Sequence, residues 1–373
     1  MPATPPGVAA DISNNVLIVG PSWVGDMIMA QGLYRAIKAA DPEGQIDVLA
    51  PAWSAGILSR MPEVRRIIDM PVGHGRFGWG ARRVLGRSLR SQYQHAIVLP
   101  NSWKSALLPW FADIPMRTGF VGEFRYGLLN DVRSLDKAAV PRLVDRYRLL
   151  ADASLPPLSR NSPGRPKSFL APVGGDSTRR EESGAVLNPC LTVDMAAQKT
   201  SLARLGLSLD RPVLALCPGA EYGPAKRWPA AHYATLAQEK IKAGWQVWLF
   251  GSEKDASVTA EINRLCNGHC VDLAGQTALV EVVDLLAAAT CVVSNDSGLM
   301  HVAAAVGVPL IALYGSSDPG YTPPLSDKAR VLSLKLSCSP CFKRDCPLGH
   351  LDCLQRLLPE QVLAEIDTLA SHA

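Results

Sequence analysis

No uninterrupted apolar run in the 373 residues approaches the ~18 that span a bilayer. The opening stretch, Met1 to Asp11, is rich in Pro and Ala and lacks both the basic start and the apolar core of a secretory signal, so the expected compartment is the cytoplasm. Charged residues are scarce at 19% against 47% hydrophobic, a balance too apolar for a disordered chain. No cysteine precedes Cys190, although nine follow from there, and a disulfide framework is disfavoured in a reducing compartment. Two nucleotide fingerprints are also missing. The turn Gly20-Pro21-Ser22-Trp23-Val24-Gly25-Asp26 has the glycine spacing of a phosphate-binding loop but carries Asp26 where the phosphate-neutralising lysine belongs, which excludes an NTPase. It does not read Gly-x-Gly-x-x-Gly either, which argues against a dinucleotide-dependent oxidoreductase.

What is present points to an α/β protein of two domains. The apolar run Val16 to Val19 is followed by a helical pattern from Asp26 to about Ala39 and a second run, Ile46 to Leu49, a strand–helix–strand unit that implies parallel strands. The scheme recurs with Val213 to Cys217, a helix from about Ala230 to Ala243, and Gln246 to Phe250. Further strands are expected at 291–294 and 309–314, with a helix from Ser297 to Val306 between them. A Pro- and Gly-rich stretch at about 154–183 reads as a linker between a first domain, 1–175, and a second, 184–373. Met1 to Gly175 holds 21 basic and 13 acidic side chains, a net +8, and the remainder 17 and 21, a net −4. A basic first half suits an anionic ligand or surface.

Several segments could carry chemistry. Asp26 sits at the carboxyl edge of the expected sheet and the head of a helix, where it is either a helix cap or a ligand-facing carboxylate. Lys226 and Arg227 precede a helix whose dipole opposes them, so they mark either a pyrophosphate site or a solvated surface pair. In Asn295-Asp296-Ser297-Gly298-Leu299-Met300-His301 the free N–H groups of a helix start suit phosphate oxygens and Asp296 suits sugar hydroxyls, while the bland reading is ordinary capping, with His301 packed in the helix. Glu253, after another strand, is a ribose ligand or a turn carboxylate. Arg76, Arg82, Arg83, Arg87 and Arg90 lie together without an acidic neighbour, interleaved with Phe77 and Trp79, and suit either an acidic lipid surface or a merely solvated helix. No nucleic-acid-binding motif accompanies them. Cys338, Cys341, Cys346 and Cys353 could hold a structural zinc ion, with His350 as an alternative ligand, or be free thiols.

The Gly20 to Asp26 motif, together with Leu99-Pro100-Asn101-Ser102-Trp103-Lys104-Ser105-Ala106, Arg125-Tyr126-Gly127-Leu128-Leu129-Asn130-Asp131, Pro218 to Pro229 and Asn295 to His301, resembles the ADP-heptose:lipopolysaccharide heptosyltransferase family over nearly the whole chain outside the linker. The resemblance implies a GT-B fold, two Rossmann-like domains facing across a cleft. It further implies an inverting transfer of heptose from ADP-heptose to the first inner-core heptose of Kdo-lipid A, at the cytoplasmic face of the inner membrane and without a catalytic metal. Asp26 would be the general base and Lys226 would neutralise the leaving ADP, helped by the backbone at Ser297, Gly298 and Leu299. Asp296 would bind the donor heptose and Glu253 the ribose, while Lys104 and Arg125 would face the acceptor. The alternatives are a family member with a different acceptor and a non-catalytic nucleotide-sugar-binding protein.

Overall fold

The computed structural model describes residues 15–73, 76–152 and 188–370. β1 (Asn15–Val19) is buried along its whole length, with Val16 and Ile18 in one apolar core and Leu17 and Val19 in another, as a strand covered on both faces requires. It feeds α1 (Val24–Ala40), and then β2 (Gln45–Ala50), α2 (Ala55–Leu58), β3 (Val64–Asp69), α3 (Trp79–Ser88), β4 (His95–Val98), α4 (Trp103–Phe111), β5 (Met116–Phe120), β6 (Asp131–Arg133) and α5 (Leu143–Leu149). Every strand pair in this sheet is parallel, in the order β3-β2-β1-β4-β5-β6.

The second half repeats the plan. It comprises α6 (Met195–Leu205), β7 (Val213–Cys217), α7 (Ala230–Lys242), β8 (Gln246–Leu249), α8 (Ala256–Leu265), β9 (Val271–Asp272), α9 (Leu279–Ala287), β10 (Cys291–Asn295), α10 (Gly298–Val306), β11 (Leu310–Leu313) and β12 (Ala329–Leu332), closed by α11 (Asp352–Gln355) and α12 (Pro359–Ala370). Its sheet runs β12-β11-β10-β7-β8-β9, again parallel throughout. Both orders are the doubly wound arrangement, in which the strand order reverses between β1 and β4 and between β7 and β10. The expected tandem of Rossmann-like units is therefore present, and the sheets lie on either side of the expected linker, which itself lies outside the described residues. One apolar core continues from Val16 and Ile18 of the first sheet through Met27, Met29 and Leu33 of α1 and Met300 and Val302 of α10 to Val213 and Ala215 of the second.

The two halves meet at helix starts. A side chain on Gly25, in the first turn of α1, would place its Cβ 2.6 Å from the His301 ring, and one on Gly298, at the start of α10, would place it 2.7 Å from Val24. Only hydrogen fits at either position, so two glycines set how closely the helix N-termini approach. Behind them, Arg60 of the first half bonds the fully buried Asp284 of α9, and Gln31 of α1 holds Cys190 through its carbonyl (2.7 Å) and its N–H (2.9 Å).

Candidate active site

Open parallel sheets bind ligands beyond the carboxyl ends of their strands at the point where strand order reverses. Each sheet here has a cavity at that point. The first, about 610 Å³, opens between the loops after β1 and β4 and is lined by Gly20, Trp23, Asp26, Asn101, Trp103 and Lys104 among others. The second, about 360 Å³, lies between the loops after β7 and β10 and the start of α1, where Lys226, Asp296, Ser297 and Gly298 face Gly25 and Asp26. Asp26 borders both cavities.

Asp26 is not the cap of α1. The residue before the helix is Trp23, which makes no capping bond, and Asp26 occupies the third helical position, with its carboxylate free for the cavities. Burial pushes its pKa up to about 6, with Lys226 pulling it down and Asp296 adding to the rise. Such a carboxylate is poised to take a proton near neutral pH.

Lys226 ends the short 3₁₀ turn Pro224–Lys226 and donates to Asp296 Oδ2 at 2.5 Å, with its ammonium also 5.3 Å from the Tyr222 ring centre. Its neighbour Arg227 turns the other way, toward Asp255 at 3.8 Å, so the paired cations of the sequence separate into one that faces the cavity and one that braces the loop. Asn295, which the motif reading passed over, holds this loop from below. Its side chain accepts from the Trp228 N–H at 3.0 Å and the Tyr233 hydroxyl at 3.1 Å and donates to the Pro218 carbonyl at 2.6 Å. Ser297 stands at the N-cap of α10 in extended conformation without a capping bond of its own, leaving the first N–H groups of the helix directed at the cavity. Leu299 is the next residue along α10 and does not border the cavity. His301 is packed, and burial pushes its pKa down to about 4, so it is neutral at physiological pH.

Two expected site residues are placed elsewhere. Glu253 is exposed in a short turn after β8 and borders neither cavity, although it lies at the carboxyl edge of the same sheet. Arg125 does not face the first cavity. Its guanidinium is 1% exposed and is spent on carbonyls, with Nη2 donating to Phe120 O at 2.6 Å, Nη1 to Pro100 O, and Nη2 to Asn101 Oδ1 at 3.3 Å. It fastens the Pro100–Asn101 loop from beneath, which a charged side chain does when every donor meets an oxygen.

The structure adds Lys137 and Arg146, which no motif marked, to the Arg76, Arg82 and Lys104 that the sequence singled out. Arg76, Arg82, Lys104, Lys137 and Arg146 line the first cavity against only two acids, Asp26 and Glu123. Arg146 lies 4.8 Å from the ring centre of Tyr321, a residue of the second half that borders both cavities and whose carbonyl accepts the Leu143 N–H at 2.9 Å. At the outer rim, Trp103, Phe77, Trp79, Phe111 and Trp110 form a ladder of rings with centres 5.0 to 5.7 Å apart, with four of the five at least 40% exposed. No helix among the described residues is long and apolar enough to cross a membrane.

A glycosyltransferase family 9 (heptosyltransferase) model matches residues 82–352. The chain is 48% identical over 363 residues to the lipopolysaccharide heptosyltransferase 2 of Salmonella typhimurium, covering 96% of this chain and 99% of that one. It is likewise 48% identical over 359 residues to the enzyme of that name from Escherichia coli K12, covering 95% and 98%. The chain belongs to glycosyltransferase family 9. The solved structure of the Escherichia coli ADP-heptose lipopolysaccharide heptosyltransferase II superposes with a TM-score of 0.78 at 46% identity, over 96% of this chain and 99% of that one. The family 9 fold of this chain is GT-B, as expected, and the chain is a glycosyltransferase.

Proposed function

We propose that this glycosyltransferase moves L-glycero-D-manno-heptose from ADP-heptose, bound in the second cavity, to the first inner-core heptose of heptosyl-Kdo-lipid A, bound in the first, with inversion at the anomeric carbon. The observation that carries the reading is the place of Asp26, bordering both cavities with a raised pKa. An acceptor hydroxyl attacking the anomeric carbon across that boundary gives its proton to the Asp26 carboxylate as the bond to the diphosphate breaks on the far side. The electron pair leaves with ADP. Lys226 and the N–H groups at Ser297 and Gly298 oppose the charge that develops there, with the Leu299 N–H behind them in the first turn of α10. In the free protein Lys226 is held by Asp296, so an incoming diphosphate shares a cation that a buried carboxylate has oriented. Asp296 then binds the donor heptose, and Glu253, outside the cavity at the carboxyl edge of the same sheet, takes the ribose where the nucleotide extends beyond it.

The Kdo and lipid A parts of the acceptor carry carboxylates and phosphates, and the five cations around the first cavity suit them, with Lys104 reaching the acceptor from the start of α4. The lipid end of such an acceptor stays in a bilayer. The exposed ring ladder beside Arg76, Arg83 and Arg87 supports peripheral binding at the cytoplasmic face of the inner membrane, where aromatic rings sit at headgroup level and arginines meet anionic lipid.

The deciding experiment is ADP release from ADP-heptose with heptosyl-Kdo-lipid A beside Kdo-lipid A lacking that heptose. Turnover only on the heptosylated acceptor is the expected result. Turnover on the shorter acceptor would make the protein a transferase of the first heptose, and donor binding without turnover on either would make it a binding protein.

A further inference from the structure

The segment from Leu336 to Cys353 lies beside the donor loop and contains a cluster that heptose transfer does not use. Cys338, Cys341, Cys346 and Cys353 all border one small void of about 20 Å³, together with Ser316 and His350. A space of that size holds a single water-sized occupant. All four thiols are free. The Ser316 hydroxyl, 1% exposed at the wall of the void, has no hydrogen-bond partner within the protein. His350 is committed elsewhere, since its Nδ1 accepts the Asp352 N–H at 2.9 Å.

We propose that these four cysteines bind one zinc ion as a tetrathiolate. Zinc takes four ligands tetrahedrally, and a Cys₄ set without an open position is the structural rather than the catalytic kind. Among the described residues no three His, Cys, Asp or Glu side chains are already arranged to hold a metal ion. The thiols therefore close on the ion by turning inward from the walls of the void, releasing their protons to solvent as they bind.

The site has a mechanical consequence. Phe342 O accepts the Tyr222 hydroxyl at 2.8 Å, and Arg344 O accepts the Ala225 N–H at 3.0 Å, one residue before Lys226. A side chain at Gly223 would put its Cβ 2.6 Å from the Arg344 carbonyl oxygen, so the donor loop rests directly on the cysteine segment. An ion at the four sulfurs fixes the support under Lys226. The inference does not depend on which sugar nucleotide the loop receives.

The test is metal analysis of the full-length protein, purified without chelator from zinc-supplemented medium. About one zinc ion per chain is expected in the wild type and in Cys190→Ser, whose thiol lies outside the cluster, falling to background in the Cys338→Ser/Cys341→Ser double variant. Cobalt titration of metal-stripped wild type gives a reading that needs no variant to fold. Thiolate-to-cobalt charge-transfer and tetrahedral ligand-field bands should saturate at about one ion per chain. Zinc well below that level in wild type with no saturating cobalt bands, or zinc retained in the double variant, would overturn the site. One equivalent of a different metal would overturn the zinc assignment.

Discussion

The starts of α1 and α10 occupy equivalent places in their two sheets, each following the strand at the carboxyl edge where order reverses, and each carries an aspartate. Their electrostatics are opposite. Asp296 sits two residues before its helix and is paired with Lys226 at 2.5 Å, so it is a fixed anion that orients a cation. Asp26 lies inside the first turn, forms no ion pair among the described residues, and is held up near pH 6 by burial. One fold device, used twice, supplies a binding carboxylate on one side of the cleft and a proton acceptor on the other. The difference comes from a single lysine on the donor loop, and the arrangement survives only because Gly25 and Gly298 let the two helix starts touch.

This contrast can be broken one side at a time. Asp26→Asn keeps size and hydrogen bonding but removes the base, and should lower kcat by about 10²–10⁴-fold while ADP binds as before in calorimetry. Lys226→Met removes the cation from the donor side and strands buried Asp296. Here kcat should fall by about 10²–10³-fold, and ADP affinity should fall with it, which the Asp26 variant does not show. Gly25→Ala touches neither aspartate but wedges a methyl group against His301. A displacement of the Asp26 carboxylate by about 1 Å should cost about 10²-fold in kcat, and the methyl pressed against the buried His301 ring should lower unfolding stability by about 1–3 kcal/mol. Smallest in rate, Lys104→Ala should raise the acceptor KM by about tenfold through one lost charge-assisted hydrogen bond, leaving the donor KM alone. Arg125→Ala, by contrast, should appear in unfolding measurements as a loss of about 2–4 kcal/mol, because it leaves buried carbonyls without their donors.

The central strands and the motif residues on them were legible because both faces of those strands are apolar and their loops carry distinctive Gly, Asp and Lys. Val213 to Cys217 is a strand with the expected bounds, and α1, α7 and α10 begin within two residues of theirs. The outer strands were not legible. β3 reads Val-Arg-Arg-Ile-Ile-Asp with exposed positions, and β6 and β9 are three and two residues long, too short to show a period. Nor could local pattern reveal Lys137, Arg146 and Tyr321, which reach the first cavity from loops and helices far apart in the chain. Arg125 shows the opposite failure. Its motif marks it as special, but a guanidinium spent on carbonyls and one facing a ligand are spelled the same way.

The most direct test of the contrast between the two aspartates is the pH dependence of kcat/KM, which reports the free enzyme. Asp26 accepts a proton only when ionised, so a pKa raised to about 6 predicts an acid limb there, falling about tenfold per pH unit below it. The limb should vanish from the residual activity of Asp26→Asn. A wild-type profile flat from about pH 5 to 8, or one whose limb persists in that variant, would contradict the account.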